Sequence, residues 1–464
     1  MPRVPSRLTK PGSAAAVLLA ALCAAYAADA GHGFIKDDFR WIRETRIESP
    51  AEVARLFERT DGFYRPLVSL TFALNSAAFG LAPRAYGLTN FSILIVNALL
   101  LWLLARRLGL GQGPAILAAG VWAFNFHGIN MSVLWISGRT ALMVTLCALL
   151  AAIATAAARM WAAGLACLLA MLSKEEAVLL PVVLTLWSAY DARTHRETHR
   201  EIGEIREKEV LPDLPYLLVN SVLRTWPCFA ALAVYLVLRL RTDAFWPLDA
   251  PSYYRLTFAP ATLAANVVQY ADRAMTWPAF AALLTYLASA RQAALNPIEK
   301  RIVVFGAIWL LGTVAITVCI PVRSSLYAVL PSVGSALAAA AVASAALRAA
   351  PHRVTTMMTV LAMLPVLLVP IYWQRNERWV RLADVSSSAL AQVRTTAEHH
   401  PGRHIAVVDN PLERFNMESA FGNLWPDAVA LFLPPGTTAV VTRDPPAVPD
   451  GIVLRLENGR LMER

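Results

Sequence analysis

WISGRTALMVTLCALLAAIATAAARMWAAGLACLLAMLSKEE, residues 135–176, decides the fold. Two apolar runs, 138–158 and 160–173, stand back to back with Arg159 between them. A bilayer's hydrocarbon core takes about 20 helical residues to cross, so the stretch reads as a helical hairpin through a membrane. A hairpin returns its two ends to one face. WISGR (Trp135 to Arg139) and SKEE (Ser173 to Glu176) are therefore expected on the same side, opposite Arg159.

Working outward, further apolar runs lie near 13–30, 86–105, 112–130, 176–190, 218–239, 276–290, 302–320, 325–347 and 354–373. With the hairpin they predict about eleven spans. The runs at 160–173 and 176–190 are short and also fit a re-entrant or tightly turned pair. The first run follows Arg3, Arg7 and Lys10 and ends in small residues, as a cleaved signal peptide would. A retained first span is preferred, because a charged segment and many more spans follow. Arg106, Arg107, Arg159, the run DARTHRETHREIGEIREKE, Arg291, Lys300, Arg301, Arg348 and Arg353 mark the cytoplasmic side. The N-terminus is then cytoplasmic and the C-terminus extracytoplasmic. The first outer loop, about 31–85, also holds Lys36, Arg40, Arg43 and Arg65, so the bias is not clean. Five hydrophilic breaks thread to the outer side: GFIKDDFRWI (Gly33 to Ile42), WISGR, SKEE, the stretch after Arg241, and PVRSSLY (Pro321 to Tyr327).

Composition agrees: 57% of residues are hydrophobic and 16% charged, far from a soluble chain. The net charge of +10 is read as cytoplasmic-loop arginine and affinity for anionic lipid, not as a nucleic-acid surface. Cys23, Cys147, Cys167, Cys228 and Cys319 are scattered through apolar segments without metal-ligand spacing. Residues 1–375 form the expected transmembrane domain. Residues 376–464 form a small extracytoplasmic α+β domain: a polar helix from Trp379 to Glu398, then β-type runs HIAVVD, AVALFL, AVVTRD and IVLRL. The fold class is all-α polytopic with that α+β tail.

The breaks carry the chemistry. Asp37 and Asp38 stand among Phe34, Ile35, Phe39, Trp41 and Ile42, a setting at the headgroup boundary. A carboxylate beside apolar surface has a raised pKa and makes a better proton acceptor from a hydroxyl. Neighbours on an extended segment point opposite ways, so one of the two, Asp37 first, is expected as the base. FYRPLVSLTFALN (Phe63 to Asn75) reads as an interfacial or re-entrant helix with Pro66 in its first turn. It places Tyr64 and Arg65 at headgroup level. Arg139, Lys174 and Arg323 each sit at the outer end of a span. Such residues often snorkel, but their recurrence on one side suits a leaving phosphate whose developing charge needs cations. Glu175 and Glu176 can pair with Lys174. His127, near the outer end of its span, is read as packing ahead of catalysis. Tyr253, Tyr254, Asn266, Tyr270 and Tyr327 are candidates to line a sugar site, or aromatic anchors.

The order DDFRWI, YRPLVSLTFALN, GLAPRAYGLTN followed by Asn97, WISGRT, MLSKEEAVLLP and RSSLYAVLPSVG resembles the polyprenyl-phosphate-dependent glycosyltransferases of the GT-C class. It is most similar to the protein O-mannosyltransferase branch that includes the TMTC-type proteins. The resemblance covers roughly residues 30 to 340, and YRPL…LTF.LN and SKE are its specific elements. It implies an inverting sugar transfer from a polyprenyl-phosphate donor, with the catalytic acid at Asp37 or Asp38. Taken with the residues read above, the expected site has phosphate contacts from Arg139, Lys174, Arg323 and Arg65, and substrate contacts from Tyr64, Glu175, Glu176, His127, Tyr327 and Tyr254. The chain departs from the family at Leu94 (usually His), at Phe126, His127 and Met131 (usually His-Pro and Glu), and at Ala141 (usually Asp). Those departures spare the first-loop acids and remove the second acid. The family's tetratricopeptide repeats are also missing, so the acceptor is not inherited. No redox or nucleotide cofactor is required, and a divalent metal stays open. The expected partners are the lipid-linked donor, the bilayer and a hydroxyl acceptor. Short loops and Ala/Arg-rich composition suggest a bacterial inner membrane. A secondary transporter or lipid flippase, and a non-catalytic relative that binds lipid-linked sugar, are the alternatives.

Overall fold

The computed structural model of the chain describes residues 11–58, 62–201, 214–246, 250–289, 294–350, 354–443, 451–457 and 459–463. Arg3, Arg7, Lys10, Arg206, Lys208, Arg291 and Arg353 lie outside them, and so does what was expected of those cations.

Five helices among the described residues are long and apolar enough to cross a membrane: Pro83–Arg107, Ile136–Ala156, Pro215–Leu240, Pro297–Val318 and Ser332–Ala349. The expected count of about eleven included runs that form shorter apolar helices, Ala14–Ala27 and Met160–Ser173. It also included runs that join charged turns, as in Leu180–Glu201. Pro66–Phe79 is likewise a short apolar helix, and like Pro83–Arg107 it begins on a proline whose φ is already helical. Pro297–Val318 starts with a capping box: Asn296 Oδ1 accepts from Glu299 N at 2.8 Å and Asn296 N donates to Glu299 at 2.9 Å. The last apolar run and the polar helix expected after it are one continuous helix, Val354–His399.

Packing follows the small residues. Met160–Ser173 lies against both Arg139–Ala156 and Leu214–Leu240, and Ser332–Ala349 against Pro297–Val318 and Pro260–Ser289. Gly306 and Gly334 set the closest of these approaches. A Cβ on Gly306 would lie 2.4 Å from Gly334 O, and one on Gly334 would lie 2.2 Å from Gly306 O. Small residues let helix backbones meet where lipid offers no hydrophobic drive. Gly306→Leu is therefore expected to cost about 2 kcal/mol or more through overpacking, read as a lower unfolding midpoint in detergent. Gly120→Ala, whose new Cβ meets only Leu18 Cδ1 at 3.5 Å, is expected to leave that midpoint unchanged or raised.

The C-terminal domain holds a four-stranded sheet in the order β2-β1-β3-β4, with β1 His404–Val408, β2 Thr438–Thr442, β3 Ile452–Glu457 and β4 Arg460–Glu463. β1 runs parallel to both neighbours, with Ile405 opposite Ala439 and Ile452, and β4 closes an antiparallel hairpin on β3. AVALFL, expected as a strand, is part of the helix Trp425–Phe432. A short apolar run does not distinguish the two states by periodicity. Pro426 in its first turn and the buried Trp425 and Ala428 fix it as a helix.

Candidate functional site

Side chains from all five hydrophilic breaks line one cavity of about 710 Å³ at one end of the bundle. Asp37, Arg40 and Trp41 come from the first loop, and Trp135, Ser137 and Thr140 from the WISGR turn. Lys174 comes from SKEE, Tyr253 and Tyr254 from the segment after Arg241, and Ser324 and Tyr327 from PVRSSLY. Asn423 enters from the C-terminal domain.

The acid pair is not extended. Asp37 is the N-cap and Asp38 the first residue of the helix Asp38–Thr45. Their environments still separate them. Asp38 is 0% exposed. It accepts from Ile35 N at 2.9 Å, from Ser137 N at 2.7 Å and from the Ser137 hydroxyl. Burial pushes its pKa up to about 7, and those hydrogen bonds oppose the rise. Asp38 thus ties the first loop to the WISGR turn. Asp37 instead opens into the cavity. Enclosure by protein raises its pKa above the ordinary carboxylate value, while Arg40, Lys36 and Arg65 pull it back.

The C-terminal domain holds this helix in place. Phe39 stacks on Phe421 at 5.3 Å and meets Phe432 edge-on at 6.0 Å, while Trp41 stacks on Phe72 at 5.4 Å. Arg43 pairs with Asp427 at 2.8 Å. Lys36, next to Asp37, has the left-handed φ of 49°, and its N–H donates to Ala420 O at 2.8 Å. A non-glycine residue in that region is strained, and strain of this kind gathers at functional sites.

Two basic side chains line the cavity, each paired with a carboxylate, and the Lys174 ammonium itself is enclosed. Arg65, the N-cap of Pro66–Phe79, grips Glu175 through both Nε (2.9 Å) and a terminal nitrogen. Its guanidinium lies 4.2 Å from the Phe63 ring centroid. Burial alone would raise the Glu175 carboxyl, but Arg65 holds it down to about 2. Lys174 pairs with Glu176, both nearly inaccessible, and its ammonium lies 4.4 Å from the Tyr327 ring centroid. Burial lowers the Lys174 pKa and raises that of Glu176, each against the pull of its partner.

Other expected site residues stand elsewhere. Arg139 is 0% exposed and does not face the cavity. It donates to Asn90 Oδ1 at 2.8 Å and Tyr86 O at 3.0 Å and lies 4.5 Å from the Phe72 ring centroid, so its donors are already used for packing. Arg323 is turned aside by Asn266, whose Oδ1 accepts from its Nε at 2.7 Å. Tyr64 is buried, with its hydroxyl on Phe57 O at 3.3 Å. The His127 ring lies tilted against Phe126 at 4.5 Å, away from the cavity lining. Glu175 and Glu176 sit behind the cations and do not line the cavity. Conversely, Arg46, Arg55, Ser137 and Asn423 line it and had not been singled out. Arg40, Arg43 and Arg46 recur every third residue, a helical spacing readable in the sequence, although only Arg40 and Arg43 were counted there, as topological charge.

Among the described residues, no group of three or more His, Cys, Asp and Glu is placed to hold a metal ion. Comparison with known protein families, with curated proteins and with solved structures gives no match.

Proposed function

We propose that the chain is a membrane glycosyltransferase of GT-C-like architecture, with about eleven membrane-embedded segments. It moves a sugar from a polyprenyl-phosphate donor to an extracytoplasmic hydroxyl, in a bacterial inner membrane with the N-terminus cytoplasmic. One observation carries this reading: the solvent-accessible Asp37 carboxylate shares a cavity with Arg65 and Lys174, two cations held in place from behind by acids.

In this reading the acceptor oxygen attacks the anomeric carbon and its proton passes to Asp37. The bond from that carbon to the phosphate oxygen breaks on the opposite face, and its electron pair leaves with the phosphate. Configuration inverts in that single displacement. Arg65 and Lys174 meet the charge that develops on the phosphate. Tyr254 and Tyr327 flank the space where a sugar would lie. Asp38, tied to Ser137, holds the base in register from outside the cavity lining.

The pH dependence of transfer in membranes tests the base. Asp37 must be ionised to accept a proton, so the acid limb is expected above the ordinary carboxylate pKa of about 4. Arg40 is the strongest cation holding that pKa down, so Arg40→Gln moves the limb to still higher pH. A limb at the ordinary position in both proteins would remove Asp37 from the role.

A further inference from the structure

The cavity wall is more basic than a donor carrying one phosphate requires. Six basic side chains line it (Arg65, Lys174, Arg40, Arg43, Arg46 and Arg55) against three acids, Asp37, Glu44 and Glu52, the last paired with Arg55 at 3.4 Å. Three of these come from the helix Asp38–Thr45 and the residue after it, at a spacing that brings i and i+3 side chains to one face. Their counter-ions leave them available. Asp427, the partner of Arg43, is 7% exposed and lies behind it, off the cavity lining. Arg40 meets Glu44 at 3.7 Å in an open pair, a contact worth little in water. Arg46 has no ion pair among the described residues. Arg40 is also the largest charge acting on Asp37, so this basic face adjoins the base.

We infer that the acceptor carries an anionic group close to the hydroxyl that receives the sugar. Arg40, Arg43 and Arg46 bind that group, with Asn423 of the C-terminal domain beside them. This deepens the glycosyltransferase reading and rests on it. The arginines place the acceptor so that its hydroxyl reaches Asp37 while its negative charge stays off the carboxylate. A guanidinium suits the purpose because it forms paired, charge-assisted hydrogen bonds to phosphate or carboxylate. The same chemistry could come from a lipid headgroup or from a free acidic compound. Trp246 and Phe258, exposed on the segment that carries Tyr253 and Tyr254, suit a rim at headgroup level.

The test is calorimetric titration of glycerol phosphate, which joins a phosphate to free hydroxyls, into the full chain in phosphatidylcholine nanodiscs. Wild type is expected to bind. R40Q/R46Q is expected to bind at least about tenfold more weakly, through lost charge-assisted contacts, and Asn423→Ala more weakly than wild type. Both arginines are exposed, so folding should survive, and an unchanged unfolding midpoint verifies that. Absence of binding by wild type, or equal binding by R40Q/R46Q, overturns the inference. Repeating the titration in phosphatidylglycerol nanodiscs separates the sources: loss of the signal by competition assigns the site to a lipid headgroup, and an unchanged signal to a free compound, both upholding an anion subsite. No sugar donor is present, so this measurement can fail while transfer persists, and transfer can fail while it holds.

Discussion

Asp37→Asn is expected to lower sugar transfer by about 10³-fold while leaving the protein folded, the range in which a positioned general base acts. The substitution keeps the shape of the side chain and removes only its ability to take a proton. Asp37 opens into the cavity, and its backbone carbonyl, which accepts from Trp41 N at 2.9 Å, is untouched. Donor binding should persist or tighten, because a negative charge leaves a cavity that must hold a phosphate. Asp38→Asn should behave differently. Both of its carboxylate oxygens accept from N–H groups, so an amide would turn a donor toward one of them. That leaves a buried donor unpaired at a cost of about 2 kcal/mol, read first as lost stability and only then as lost activity.

The second large effect concerns Arg65. Arg65→Gln leaves Glu175 largely enclosed and without its bidentate partner. Breaking a buried pair from one side costs about 3 kcal/mol or more, so the unfolding midpoint in detergent should drop clearly. Arg65→Gln/Glu175→Gln removes both charges and is expected to recover most of that stability. It should not recover transfer, since the phosphate would still lack its cation. Recovery of both together would mean that Arg65 serves only the fold.

The end of the bundle where the cavity sits was legible because an apolar chain can place its polar breaks only at the membrane's faces. The hairpin 135–176 brings Trp135 and Lys174 to one face, and the same reasoning brings Tyr254 and Tyr327 beside them. What stayed illegible depends on partners far along the chain. Arg139 reads like any cation at a helix end until Asn90 and Tyr86 absorb its donors. Arg323 does so until Asn266 turns it aside. The separation of Asp37 from Asp38 was anticipated on the wrong geometry: an extended segment was expected, and a helix start with Ser137 beneath it does the work. AVALFL was ambiguous at its length, and its helix rests on Trp425 and Ala428 packing into the tail. The docking of that tail on Phe39 and Arg43 left no local trace, because Phe421, Phe432 and Asp427 read simply as parts of a separate small domain.

The central claim is that Asp37, Arg65 and Lys174 together break a sugar–phosphate bond in one cavity. The most direct measurement is mass-spectrometric detection of polyprenyl phosphate released when the purified chain in proteoliposomes meets polyprenyl-phosphate sugars and membrane acceptors. Release above protein-free vesicles by wild type, lowered about 10³-fold in Asp37→Asn, is the predicted result. Release equal to the protein-free background for every donor, or equal release by wild type and Asp37→Asn, would contradict the account.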